Sequence, residues 1–249
     1  MPRASLPTCY LHPAHVRCGF RLIANRKVRE LVSNTQEPEE MEYDMPGFLA
    51  RVDIEDGKVV VRGAGVKMPL LLATVHTAFD STTGAPAVVL QPRSEAEASL
   101  VMLVPAGCEE VLRVLDVMGS CGAVRTDFKS SYMIEGRLGN GGMAAVYKVR
   151  ELCPRGSDSP RLVAKMPLSQ MGGGMPDEMH QELVTLCAVQ GHPNVVRLHG
   201  LFRTHEGGAG GDPLWLMTLE RCERRDLFNA VMTSGSFTED RARDMMAGV

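Results

Sequence analysis

The 249-residue sequence lacks any long hydrophobic segment and any strong excess of charge of one sign. Its longest apolar segments, Met68–Val75 and Leu100–Val104, are far shorter than the roughly 20 residues of a membrane-spanning helix, so no transmembrane segment is predicted. No secretory leader is expected, because Met1–Tyr10 contains no continuous hydrophobic stretch. A net charge of −3 argues against a broadly basic surface, and no nucleic acid is expected as a partner.

The cysteines do not form the even, regular set that is typical of a disulfide-stabilised protein. Seven are present, at positions 9, 18, 108, 121, 153, 187 and 222. Because the number is odd and the spacing irregular, the sequence favours a reducing compartment, and a cytoplasmic location is expected.

Residues 1–47 are expected to be a poorly ordered extension. Two features of this extension can each be interpreted in more than one way. Cys9, His12, His15 and Cys18 offer four zinc-type ligands, although structural zinc sites usually combine two ligand pairs from separate turns. The alternative is coincidental spacing in a mobile terminus. The first 29 residues also hold six basic residues and no acid, as a transit peptide does, but they are poor in serine.

The pattern of residues 48–122 predicts a small β-rich domain that ends in a helix. An Asp-Gly pair within the first expected hairpin suits a tight turn. The expected strands are Phe48–Ile54, Lys58–Arg62, Leu70–Phe79, Ala87–Gln91 and Leu100–Val104. Apolar residues then recur at helical spacing near 108–119, and Gly119 and Gly122 supply the stop; these apolar residues are Val111, Leu112, Leu115 and Met118.

This order of strands and one final helix resembles a pleckstrin-homology domain, which implies a phosphoinositide or a protein as the partner of this region. The aromatic residue that the family carries on its last helix is missing here, and five strands are expected where the family has seven. An unrelated β-rich domain is the alternative.

Four motifs follow one another in the second half of the sequence. A glycine-rich segment ends in a valine, and an apolar segment ends in a lysine. A glutamate lies 17 residues further on, within a helix expected over Met175–Gln190, and an HPNVV sequence comes after it. The motif residues are Leu138-Gly139-Asn140-Gly141-Gly142-Met143-Ala144-Ala145-Val146, Leu162-Val163-Ala164-Lys165, Glu182 and His192-Pro193-Asn194-Val195-Val196. Together they resemble the N-terminal lobe of a eukaryotic-type protein kinase domain.

The resemblance covers residues 132–249 and implies an α+β fold. The expected lobe, over about 132–222, is a five-stranded antiparallel sheet packed against the Met175–Gln190 helix, the αC helix of the family, with Leu183, Leu186 and Val189 on one face. Its fourth and fifth strands are expected at Val195–Phe202 and Leu214–Leu219. The hinge and the start of the second lobe follow, and the β-rich domain precedes the whole.

The resemblance implies ATP as the ligand. Glycines let main-chain N–H groups approach phosphate oxygens closely, and Lys165 would bond the α- and β-phosphates while Glu182 holds its ammonium group. Glu178, one helical turn earlier, is the alternative partner of the lysine. The ATP contacts that the resemblance implies are Leu138, Gly139, Asn140, Gly141, Gly142, Met143, Ala144, Val146, Val163, Lys165, Leu219, Glu220, Cys222 and Asp226.

Several of these positions have particular expected roles. Ala144 replaces the third glycine of the family's loop, and Val163 replaces a small residue, which would tighten the adenine pocket. Leu219 would be the gatekeeper, with Glu220 and Cys222 in the hinge, and Asp226 would lie near the ribose or a basic residue of the substrate. The serine/threonine type is inferred from the sequences Asp226-Leu227-Phe228 and Phe237-Thr238-Glu239.

The sequence contains neither the H-R-D catalytic loop nor the D-F-G motif that binds Mg²⁺. Phosphoryl transfer depends on both, so this chain alone is expected to be inactive, and Mg²⁺ is expected only together with the missing lobe. Three interpretations remain. The chain is a fragment of an active kinase that phosphorylates proteins, a natural truncated interaction or regulatory module, or a nucleotide-binding domain unrelated to kinases.

Overall fold

A computed structural model describes residues 19–20, 48–49, 51–55, 57–62, 66–79, 86–93, 100–103, 108–152, 160–169, 173–205, 213–222 and 227–247. Asp226 and the four zinc-type residues Cys9, His12, His15 and Cys18 lie outside these ranges.

The described part of the chain contains fourteen strands and five helices. The strands are β1 (Gly19–Phe20), β2 (Phe48–Leu49), β3 (Arg51–Glu55), β4 (Lys58–Arg62), β5 (Val66–Pro69), β6 (Thr74–Phe79), β7 (Pro86–Gln91), β8 (Leu100–Leu103), β9 (Val124–Arg125), β10 (Tyr132–Asn140), β11 (Ala144–Glu151), β12 (Leu162–Pro167), β13 (Leu198–His205) and β14 (Pro213–Glu220). The helices are α1 (Cys108–Ser120), α2 (Phe128–Ser131), α3 (Asp177–Val189), α4 (Leu227–Ser234) and α5 (Glu239–Met246).

These strands form two sheets, one of three strands in the order β3-β4-β5 and one of eleven in the order β10-β11-β12-β14-β13-β9-β6-β7-β8-β1-β2. Every described neighbouring pair is antiparallel except those of β9, which runs parallel to both β13 and β6. The mixed α+β class with a large, mostly antiparallel sheet is therefore confirmed. Strands of both predicted domains share the larger sheet, so the predicted boundary lies within one continuous sheet.

The N-terminal part has a core that we call the front core. Helix α1 packs onto strands β4 to β7, and the residues of this core are Val59, Met68, Leu70, Ala73, Val75, Val88, Leu90, Val111, Val114, Leu115, Met118, Cys121 and Ala123. The expected helix near 108–119 is thus present. It ends at Ser120 and is followed by a turn at Gly122, whose φ of +86° suits glycine. The N–H groups of Gly122 and Ala123 donate to the carbonyls of Gly119 and Met118.

The strands β10 to β14 have apolar side chains on both faces. One face packs against α3 in the cleft-side core, which comprises Val124, Val163, Met179, Leu183, Leu186, Leu198, Leu201, Met217 and Leu219. The other face forms the aromatic core, which comprises Phe128, Tyr132, Val149, Leu162, Ala164, Phe202 and Leu216. Because successive strand residues point to opposite faces, Val163 and Ala164 belong to different cores.

Several predicted bounds are wrong. The predicted strand Leu70–Phe79 begins at Thr74, because residues 70–73 form a turn in which Leu72 has a φ of +61°. The fourth lobe strand begins at Leu198 instead of Val195, since Val195 N–H donates to His192 C=O in a turn. Strand β5 was not expected, and the predicted Met175–Gln190 helix begins at Asp177, with Pro176 as its N-cap, and ends at Val189.

Candidate functional site

Helix α3 is positioned by its sequence and by both of its ends. Asp177 and Glu178 lie in its first turn, where acidic side chains interact favourably with the helix dipole. Met179, Leu183 and Leu186 recur at helical spacing and are buried against the sheet. This apolar face orients the helix, and with it the neighbouring Glu182.

Lys165 and Glu182 form a bidentate ion pair. Lys165 Nζ lies 2.6 Å from both Glu182 Oε1 and Glu182 Oε2, and about a third of each side chain is exposed. The pairing predicted from the sequence is confirmed, and the alternative partner Glu178 is not the residue that the lysine contacts. Because one lysine proton donor faces each carboxylate oxygen, the ammonium group is held in a defined position.

The expected glycine-rich loop joins strands β10 and β11, which form an antiparallel hairpin. Its tip is shaped by main-chain bonds from Gly141 N–H to Ala144 C=O (2.8 Å) and from Leu168 N–H to Met143 C=O (3.0 Å). Added Cβ atoms at Gly139 and Gly142 would meet no atom within 4 Å, and neither glycine has a positive φ. Neither backbone conformation nor packing within the described residues therefore requires glycine there.

The strand register places the predicted contacts on one face of the sheet. Val146 lies opposite Lys165, and Lys165 lies opposite Met217, while Val163 lies opposite Leu219. Directly opposed residues of antiparallel strands share a face, and so do residues two apart along one strand. These five side chains consequently point to the side of the sheet on which α3 packs.

A cleft of about 360 Å³ opens between the glycine-rich loop and α3. It is lined by Gly142, Met143, Ala144, Lys165, Pro167, Leu168, Ser169, Pro176, Glu178, Met179, Glu182 and Met217. The ion pair thus lies in a concave space whose wall includes the loop. Of the predicted contacts, Leu138 and Met143 are largely exposed, at 50% and 68%, whereas Val163 and Leu219 are buried.

The predicted hinge continues strand β14. Glu220 N–H donates to Arg197 C=O (2.9 Å) and Arg221 N–H donates to Arg161 C=O (2.8 Å), so successive backbone groups alternate between the two neighbouring segments. Cys222 follows as an exposed free thiol. The cleft lining named above does not include Leu138, Val146, Val163 or the hinge residues, so the structure does not bring all predicted contacts into one cavity.

Two structural partners of the site were not expected from the sequence. Gln190, just after α3, donates from Nε2 to Leu198 C=O (3.0 Å) and accepts from Leu198 N–H at Oε1 (3.3 Å). Met217 lines the cleft beside Lys165. Because alternate residues of a strand share a face, the expected strand Leu214–Leu219 could have placed Met217 on the same face as Leu219. No local pattern distinguishes Gln190 from an exposed glutamine.

No protein-family model matches this chain. A stretch of 70 residues, 28% of the chain, is 34% identical to CBL-interacting protein kinase 20 of Oryza sativa subsp. japonica and spans 15% of the length of that curated relative. The crystal structure of Rad53 1-466 in complex with AMP-PNP aligns with the whole chain and with 58% of its own, at a TM-score of 0.37 and 14% identity. The sequence match alone shows a weak similarity to a protein kinase, over 28% of the chain.

None of the described helices combines the length and the apolar character needed to cross a membrane. Within the described residues, no group of three or more His, Cys, Asp or Glu side chains is arranged to hold a metal ion.

Proposed function

We propose that this chain contains the ATP-binding part of a protein serine/threonine kinase, which transfers the ATP γ-phosphate to protein hydroxyl groups in a protein that also supplies a second lobe. The observation that carries the proposal is the Lys165–Glu182 ion pair at 2.6 Å in a cleft beside a glycine-rich hairpin. The local similarity to a plant protein kinase supports the same class.

In this proposal the residues of the chain bind and orient the nucleotide. Main-chain N–H groups between Gly139 and Ala144 bond phosphate oxygens, because no side chains at Gly139 and Gly142 keep the phosphates at a distance. Lys165 Nζ donates to the α- and β-phosphates while Glu182 limits its movement. Leu138 and Val146 cover the adenine ring from above and Val163 tightens the adenine pocket. Leu219 is the gatekeeper, Glu220 and Cys222 form the hinge, and Asp226 is the expected ribose contact.

Mg²⁺ does not fit the residues present. The family holds this ion with the Asp of the D-F-G motif and an Asn of the catalytic loop, and the sequence contains neither motif. Among the described residues that line the cleft, the carboxylates are those of Glu178 and Glu182, and Glu182 is already bound to Lys165. Nucleotide binding by this chain is therefore expected to be weak and nearly independent of metal.

A truncated, inactive module that binds another protein is the second candidate. The observation in its favour is the exposure of large apolar side chains on α4, where Phe228 and Met232 are each 71% exposed. For residues 48–122, the pleckstrin-homology resemblance stays a prediction, with a phosphoinositide or a protein as the expected ligand.

Titration of residues 1–249 with a fluorescent ATP analogue tests the proposal. Lys165→Met should weaken binding by about tenfold or more, because it removes a charge-assisted bond to phosphate. Lys148→Met is the matched control: Lys148 lies in the same sheet and is paired with Glu135 at 2.6 Å, and its loss should change affinity by less than about twofold. Equal affinity of Lys165→Met and the parent chain would contradict the proposal.

A phosphotransfer assay tests the expected inactivity of the isolated chain. With radiolabelled ATP and a protein substrate, the chain should transfer no measurable phosphate. Transfer that disappears in Lys165→Met would instead indicate catalytic groups beyond the motifs identified in this sequence.

A further inference from the structure

The turn before strand β6 has an unusual backbone. Ala73 N–H donates to Leu70 C=O (3.0 Å), and Leu72 has a φ of +61°. Leu72 is the one non-glycine residue among the described residues with a positive φ. Leucine is disfavoured in this conformation because its Cβ approaches the following carbonyl oxygen, so the surrounding structure has to hold it there.

The turn is fastened to the end of α1. Leu72 N–H donates to Gly122 C=O (2.9 Å), and Val124 N–H donates to Ala73 C=O (2.7 Å). Gly122 is itself in the left-handed conformation that ends α1. These bonds fix the position of Leu72 on both sides of its strained backbone.

The side chains of this turn join two cores. Leu70 is fully buried in the front core, whereas Leu72 packs against the cleft-side core that contains Met179, Leu183 and Leu186 of α3. A right-handed backbone at residue 72 would aim the side chain elsewhere. The strained conformation is therefore what brings a front-core turn into contact with the core beneath α3.

The end of α1 also lies against α3. A Cβ atom added to Gly122 would lie 3.1 Å from Cys187 Sγ, on the C-terminal half of α3. Cys187 also contributes to the cleft-side core. Five residues separate Cys187 from Glu182, about 7.5 Å along a helix, so displacement at one position moves the other.

We propose that the Leu72 turn is a positioning element for α3: Leu72 and Gly122 hold the C-terminal half of the helix against the sheet and thereby keep Glu182 beside Lys165. Leu72 is a positioning residue, since it acts through α3. The inference rests on the proposed function, because its consequence is the geometry of the proposed phosphate site.

The test compares leucine variants of the full chain without nucleotide, with hydrogen exchange of the α3 amides and alkylation of Cys187 read out by peptide mass spectrometry. Leu72→Ala should speed hydrogen exchange of the α3 amides by about threefold or more relative to the parent chain. Alkylation of Cys187, normalised to that of the exposed Cys222, should speed up by the same factor. Leu72→Met, which restores apolar volume, should return both rates to within about twofold of the parent.

The matched control is Leu112→Ala. Leu112 is partly buried against the front core and does not belong to the cleft-side core, so its variant should leave α3 and Cys187 unchanged. Leu72→Gly removes the same side chain but relieves the backbone strain; it should keep the chain folded and still loosen α3. Unchanged α3 rates in both Leu72→Ala and Leu72→Gly would overturn the proposal, as would equal loosening by Leu112→Ala.

Nucleotide affinity is measured separately in the same variants. Leu72→Ala should weaken binding of the ATP analogue less than Lys165→Met does, because Lys165 itself remains. If the parent chain binds no nucleotide, the proposed function fails, but the exchange and alkylation rates still decide whether the Leu72 turn positions α3.

Discussion

At the scale of single residues, the choice of glutamate on α3 determines how the cleft works. Glu178 and Glu182 lie one helical turn apart, and both line the cleft. Of the two, Glu182 is the one that contacts Lys165. The bidentate geometry matters more for the position of the ammonium group than for stability, because both side chains are about one-third exposed and such pairs contribute at most about 1 kcal/mol.

A pair of glutamine substitutions tests this choice. Glu182→Gln removes the negative charge that holds Lys165, so binding of the ATP analogue should weaken by about threefold to tenfold. Glu178→Gln makes the same change one turn away and should alter affinity by less than about twofold. A larger effect from the substitution at position 178 would show that Glu182 has been assigned the wrong role.

Two histidines make stability depend on pH. Burial lowers the pKa of His76 and of His199, and the nearby Asp116 and Glu220 only partly oppose this for His199. Below the ordinary histidine pKa of about 6.5 the unfolded chain therefore binds protons that the folded chain does not, and stability falls as pH decreases.

Thermal unfolding at pH 7.5 and pH 5.5 measures this effect. The parent chain should melt at a lower temperature at pH 5.5, and the double substitution His76→Gln and His199→Gln should reduce that difference. The same difference in the parent chain and in the double variant would contradict the assignment to the buried histidines.

At the scale of elements, Gln190 connects the end of α3 to the start of β13. Its side-chain amide both donates to and accepts from the backbone of Leu198. The polar groups at the start of β13 are partly buried. Removal of the Gln190 amide therefore leaves the Leu198 N–H and C=O without their protein partner, and only water can replace it.

Gln190→Ala should lower the free energy of unfolding by about 1–2 kcal/mol, measured by denaturant titration. Gln181→Ala is the matched control, because Gln181 is an exposed residue in the middle of α3 and alanine favours helix there. A loss of stability in the control equal to that of Gln190→Ala would argue against the connection.

Elements with strong periodicity could be predicted, and their ends could not. Leu183 and Leu186 identified the buried face of α3, but Val189 is 42% exposed because the helix ends at that residue. The segment Leu70–Phe79 has the composition of one strand, yet contacts with Gly122 hold Leu72 in a turn. Interactions distant in sequence decide these boundaries, and local propensity does not contain them.

At the scale of the whole molecule, a buried arginine joins the two halves of the chain. Arg125 in β9 is fully buried and binds Asp127 through Nε (2.9 Å) and Asp116 of α1 through Nη1 (2.5 Å). Its guanidinium group also lies 4.8 Å from the centroid of the Phe202 ring in β13. Burial alone would lower the pKa of Arg125, but the hydrogen bond to Asp127 and the charges of both carboxylates raise it.

Arg125→Met should lower the free energy of unfolding by about 1.5–3 kcal/mol, because it removes the cation that hydrogen-bonds to two partly buried carboxylates. Arg150→Met removes an exposed arginine that is paired with Glu135 at 3.1 Å, and it should cost no more than about 1 kcal/mol. Equal stability of the two variants in urea titrations would show that the contacts of Arg125 between the two halves do not contribute to the free energy of unfolding.

The continuous sheet could not be predicted from the sequence. The Lys165–Glu182 pair could be predicted, because the motifs that contain the two residues follow one another in a fixed order within one expected lobe. By contrast, β9 has two residues, and its parallel pairing with β6 and β13 spans large sequence separations. Arg125 likewise gives no sequence signal, since its partners in α1 and β13 are identified only by the fold.

The central claim is that nucleotide binds between the glycine-rich loop and the hinge, and amide chemical shifts of isotopically labelled chain titrated with AMP-PNP test it most directly. We predict shift changes concentrated at residues 139–144, 163–165 and 219–222, which are lost in Lys165→Met and retained in Lys148→Met. No shift changes, or changes confined to residues outside these three segments, would contradict the account.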